Sequence, residues 1–203
     1  MGTSSAYERG DRRAAILAAA QEVFAEHGFY RAKVETIAER ASIAKGTIYL
    51  YFPSKKELLR ALVEERMGRL IHLVEGQISE GRDIAAMIRG IISAHFVFYF
   101  EEREFIAILY GQLGQIAEGM EGPAKRGSEH MSQLIADVLK RGIREGVLRT
   151  VYEHTLAQAL QGMIHAVAFD WIVTNGDESP EALAQEVYQL FRVGALAPAA
   201  ETQ

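Results

Sequence analysis

The chain has 203 residues, 49% of them apolar, and can bury a substantial core as one domain or as a small domain joined to a larger one. It contains no cysteine, which excludes disulfides and cysteine-ligated metals and fits a reducing cytoplasm. The net charge of −5 argues against a polyanionic partner until its distribution is considered: residues 1–66 carry a balance of +2 and residues 67–203 one of −7.

The N-terminal residues Met1–Gly10 are polar and lack the apolar core of a signal peptide, and apolar runs such as Phe96–Phe100 are too short to span a bilayer. A cytoplasmic protein with no membrane association is therefore expected. No alternation of β-branched residues occurs, and each of the four prolines suits a helix boundary. The expected fold class is all-α, with about nine helices.

In chain order, a first helix is predicted over Arg12–His27, with Ile16, Ala20, Val23, Phe24 and His27 facing inward and Gly28 ending it. Next come two short helices. Val34, Ile37, Ala38 and Ala41 form the inner face of one, Ser42 sits at the turn, and Ile43 fills the angle. The other runs over Ala44–Phe52 with Ile48 and Phe52 inward. Its opposite face carries Lys45, Gly46, Thr47, Tyr49 and Tyr51, a set suited to a phosphate backbone and base edges. Two short helices joined by a tight turn make a helix-turn-helix unit, so double-stranded DNA is the expected partner.

Pro53 and the capping box Ser54-Lys-Lys-Glu57 open a fourth helix reaching about Ser79. The division between a DNA-binding part, residues 1–55, and a second part, residues 56–203, falls within this helix, so the parts share a rigid element. Asp83 caps a fifth helix to about Glu101, a sixth covers about Glu104–Glu118, and a seventh Ala124–Glu145, ended by Gly146. A capping box Thr150–Glu153 opens an eighth to about Thr174. Ser179-Pro180 opens a ninth to about Ala195.

The helix-turn-helix block resembles the TetR family of one-component transcriptional repressors. The chain matches the family pattern at Val34, Ile37, Ala38, Ala41, Ile43, Gly46–Ile48, Tyr49, Tyr51, Phe52, Ser54, Lys55, Glu57 and Leu58. It departs at Ser42, where a glycine is usual and a side chain must take a left-handed conformation. It departs again at Ala44, where the usual serine cap is missing, and at Lys33, where threonine is frequent. Base contact is expected from Lys45 and Gly46, and phosphate or mixed contact from Thr47, Tyr49 and Tyr51. Lys55, with its backbone N–H at the N-terminus of the fourth helix, is expected to clamp a phosphate, with Lys33 as a further phosphate ligand. The resemblance implies a homodimer whose recognition helices are moved by an effector bound in the second part.

The fifth helix, Ile91–Phe100, is apolar nearly all round and is expected to be central and buried. His95, Tyr99, Tyr110, His165, Phe169 and Trp171 are the amphipathic groups that would line an elongated effector cavity; simple core packing is the competing role for each. This inventory points to a hydrophobic small molecule. The second half is similar, more weakly, to the acyl-CoA-responsive fatty-acid-metabolism repressors of the family, which would place CoA phosphates near Arg89, Arg103, Lys125 or Arg126. A multidrug-type sensor regulating an efflux gene is the alternative, and a small helical enzyme, for which His154 with His165 or His95 with Glu101 and Glu102 are the only acid–base groupings on offer, is a more distant one. The dimer interface is expected from Leu156, Leu160, Met163 and Val167 with Leu183, Val187, Leu190 and Phe191. No metal-ligand spacing, phosphate loop or nucleophile motif stands out, so no catalytic residue, metal or cofactor is expected.

Overall fold

The computed structural model describes residues 3–107 and 123–195, with side chains from residue 10 in the first stretch and residue 125 in the second. The helices are α1 (Thr3–Arg31), α2 (Val34–Arg40), α3 (Lys45–Tyr51), α4 (Lys55–Glu80), α5 (Ile84–Glu101), α6 (described over 103–107), α7 (Pro123–Arg144), α8 (Glu153–Val173) and α9 (Pro180–Ala195). No strand occurs among the described residues, so the all-α class holds.

Helix starts follow local chemistry. The Ser54 hydroxyl accepts from the Glu57 N–H at 3.1 Å, the Asp83 carboxylate from Ala86 at 2.7 Å, and the Ser179 hydroxyl from Ala182 at 3.2 Å. Two boundaries differ from expectation. Helix α1 begins at Thr3 rather than Arg12, because an apolar stripe marks only the part of a helix that packs. It breaks as expected at Gly28, whose φ of 71° is non-helical. Thr150 does not cap α8. The Arg149 N–H instead donates to the Ala195 carbonyl at 2.8 Å, which holds the preceding link out of the helix, and α8 starts three residues after Thr150 with no side-chain cap at Tyr152.

The chain divides into two compact units, one formed by residues up to Arg66 with 104–124 and the other by Met67–Arg103 with residues from Lys125 on. The division thus falls inside α4, further along it than residue 55, and the described residues 104–107 join the first unit. In the first unit Ile16, Val23 and Phe24 of α1, Ile37 of α2, Ile48 of α3 and Leu58 and Leu62 of α4 are fully buried together as the core. His27, expected inward, is exposed beside Glu26, because it is the last residue before the break.

In the second unit α5 packs against α8 and α9. Both α5 and α8 are long and apolar enough to cross a membrane by length and composition, which the run-length argument missed. Helix α5 is 61% buried in the core of its unit, whereas α8 is only 33% buried and leaves apolar surface outside.

Candidate nucleic-acid interface and effector site

The joint between α2 and α3 is built from backbone. Ser42 takes φ 55°, the left-handed conformation its position demanded, while its N–H bonds to Glu39 and that of Ile43 to Ala38, at 3.0 and 2.9 Å. Ala44 is extended and has no capping side chain; only its carbonyl joins the helix, accepting from Thr47 at 2.8 Å. Ser42→Gly removes the left-handed strain and restores some unfolded-state freedom. A net gain of roughly 0.5–1 kcal/mol is expected in urea unfolding.

Helix α3 buries Ile48, with Phe52 buried at its C-cap, and thereby turns Lys45, Gly46 and Tyr49 outward. An added Cβ on Gly46 would meet no atom within 4 Å, so no internal packing calls for glycine there. Thr47 and Tyr51 are half-buried. At roughly 100° per residue, Tyr51 lies only about 60° from the Ile48 direction, and its ring leans on Phe52 at 6.5 Å. Leu50 lies on the opposite side and is 85% exposed, an apolar group on the outer face that residue-type reasoning overlooked. Its spacing of four from Gly46 was the available signal.

The cations are deployed unequally. Lys33 is exposed in front of α2. Lys45 is ion-paired with Glu35 of α2 and stands 5.9 Å from the Tyr49 ring centroid. The pairing raises the Lys45 pKa and lowers that of Glu35. Arg40 is held by Glu26 and Glu22 at 2.7 and 3.0 Å. The Lys55 ammonium donates to the carbonyls of Phe29, Tyr30 and Ala32 at 2.6, 3.0 and 2.9 Å and lies 4.7 Å from the Phe29 ring centre. Burial lowers its pKa. With three N–H donors and three carbonyls it is saturated. The ammonium is therefore a structural tie, and the Lys55 backbone N–H at the start of α4 remains the group for the expected phosphate contact.

In the second unit His95 is buried, and its Nδ1 meets the Ile91 carbonyl at 2.7 Å, so the ring is neutral with the proton on Nδ1. Burial lowers its pKa to about 4. The Tyr99 ring lies 6.2 Å from His95 and 6.2 Å from His165, so three of the six expected effector groups form one cluster. Trp171 is buried against Phe100 (5.7 Å) and under the Arg103 guanidinium (4.1 Å), Phe169 is exposed, and Tyr110 lies outside the described residues. Arg103 is further bound to the Trp171 carbonyl at 3.1 Å, and Arg89 to the Tyr188 hydroxyl at 3.0 Å. That second pair borders a groove of about 340 Å³ between α4, α5 and α9, which none of the five described effector candidates lines.

Of the expected interface residues, Leu160, Leu183, Val187 and Phe191 are buried in the chain's own core and are unavailable to a second copy. Leu156, Met163 and Val167 are half-buried, and only Leu190 is open. The strongest apolar stripe of each helix faces α5. A second, smaller-residue stripe remains outside: Ala159, Gly162, Ala166, Phe169 and Val173 on α8, with Leu190 and Val193 on α9.

Residues 16–62 match the family model described as bacterial regulatory proteins, tetR family, and residues 81–195 match the tetracyclin repressor-like C-terminal domain. The fatty acid metabolism regulator protein of Bacillus subtilis (strain 168) is 28% identical over 180 residues, spanning 88% of this chain and 93% of that protein. The fatty acid degradation regulator FadR from Bacillus halodurans superposes with a TM-score of 0.81 at 28% identity, covering 90% of this chain and 95% of that one. FadR from Bacillus subtilis, solved in complex with stearoyl-CoA, also gives 0.81, at 27% identity over 89% and 97% of the two chains.

Proposed function

This chain belongs to the tetR family of bacterial transcriptional regulators and is not an enzyme, and from that premise we propose that it binds a palindromic DNA operator in the cytoplasm as a homodimer and leaves it on binding a long-chain acyl-CoA. The outer face of α3 carries the DNA half of this reading: Lys45, Gly46, Tyr49 and Leu50 point away from the core at the N-terminal and middle turns, where a recognition helix meets base edges. Lys33 and the backbone N–H of Lys55 supply phosphate contacts, with Thr47 and the half-buried Tyr51 at the edge of the interface.

The effector half is supported by likeness to a FadR structure that holds stearoyl-CoA and by an apolar interior that holds the buried His95 and Tyr99, with the solvent-exposed His165 ring 6.2 Å from Tyr99. Helix α4 is unbroken from Lys55 to Glu80 and contributes to both units, so a ligand-driven shift of its second half is carried to its first. Recognition helices of a dimer read half-sites about 34–36 Å apart, and a change in that spacing weakens both contacts at once.

Mobility shift on DNA upstream of its own gene tests the reading. Palmitoyl-CoA is expected to release the DNA and a cationic dye to leave it bound; release by the dye alone would make the protein a multidrug-type sensor. Dimerisation through the outer stripe of α8 and α9 predicts that Leu190→Glu weakens self-association by tenfold or more. Sedimentation at micromolar concentration would then show a monomer, and an unchanged dimer would move the interface elsewhere.

A further inference from the structure

Glu35 lies in the first turn of α2 and places a carboxylate on the leading cation of the recognition helix, Lys45. Both side chains remain about half exposed, 53% and 48%, and an ion pair that open to water contributes little to folding. For a protein that needed Lys45 only as a phosphate ligand, the arrangement is adverse, since the carboxylate cancels the charge and repels the backbone. The pair makes chemical sense against a base pair. An ammonium can only donate and a carboxylate can only accept. In the major groove a G·C pair presents two acceptors, O6 and N7, on one side and the cytosine amino donor on the other. An A·T pair interleaves its donor between acceptors and adds a methyl group that a carboxylate avoids.

We propose that Glu35 and Lys45 act as one unit that reads a G·C base pair in each half-site, with Lys45 on the guanine and Glu35, the specificity-determining residue, on the cytosine amino group. Tyr49, one turn along α3, keeps the ammonium over its ring face and so fixes the side from which it approaches. Where no amino group is offered, the carboxylate faces phosphate or an acceptor and the register is rejected, which is discrimination by repulsion. The inference rests on the DNA-binding reading above.

Selection from a randomised duplex pool, run with wild type, Glu35→Gln and Lys45→Met, tests both layers. Wild type is expected to select a palindrome with an invariant G·C pair in each half, and Glu35→Gln to relax that one position by on the order of tenfold per half-site. On sheared random-sequence DNA, Glu35→Gln is expected to bind more tightly, with a salt slope steeper by about 0.9 per subunit as Lys45 turns to a phosphate. In the Lys45→Met background the same change should have no such effect. If wild type selects a palindrome and Glu35→Gln selects it with unchanged preference, or if operator and random DNA weaken by one common factor, this inference fails and the regulator reading stands. A wild type that selects no sequence overturns both.

Discussion

Lys55→Met is expected to destabilise the free protein by roughly 2–3 kcal/mol. The estimate follows from what the ammonium holds. The carbonyls of Phe29, Tyr30 and Ala32 lie at the break that ends α1, where helical carbonyls lack partners further along the chain. A charged donor on such a group contributes about 1.5–3 kcal/mol, more than a neutral one. The three bonds share one ammonium, and the Tyr30 bond is exposed, so they do not add in full. Methionine keeps the stem volume and isolates the loss of the charge. Urea unfolding without DNA is the decisive measurement, because a residue that merely clamped phosphate would leave the free protein unchanged. Lys55→Arg is not expected to rescue, since a planar fork cannot point three donors at three converging carbonyls.

Acidification is expected to cost about 3 kcal/mol through His95. Its folded pKa, about 4, lies below the ordinary value of 6.5, so the folded state resists the proton that the unfolded chain takes up. The stability is fully present above pH 6.5, falls as the pH drops from 6.5 to 4, and levels off below. The His165 pKa is lowered in the same direction by partial burial of its ring, but the residue is exposed to solvent and its share is small. His95→Phe should flatten the fall in urea midpoint over that window by most of its depth, leaving the share due to His165 and to carboxylates. An equally steep fall in the variant would mean that His95 reaches water readily.

Legibility in the sequence followed the range of the interactions. Ser54, Asp83 and Ser179 each cap with an atom three residues away, and each boundary was readable. The turn at Ser42 was readable for the same reason: its strain belongs to one residue and two neighbouring bonds. Thr150 looked like an equal cap, but the backbone bond from Arg149 to Ala195 comes from far along the chain and overrides it. The role of Lys55 was hidden likewise, because its partners lie 23 to 26 residues upstream. Apolar stripes on α8 and α9 announced burial correctly without saying against what. The core of the same chain took the strong stripe and left the weak one to the outside. Glu35 carried no signal of its own, since a glutamate in the first turn of a helix is also a favourable partner for the helix dipole.

Gly46 gives the free protein nothing. Its position is helical, and the space around it would accept a methyl group without a clash, yet glycine there forgoes roughly 0.5–1 kcal/mol of helix stability relative to alanine. A cost with no internal return belongs to a partner that is absent until the protein acts. On the DNA-binding reading proposed above, the open space beside Gly46 is where a DNA edge would approach the helix. The stability the fold gives up at this residue is then a measure of how closely two backbones must meet.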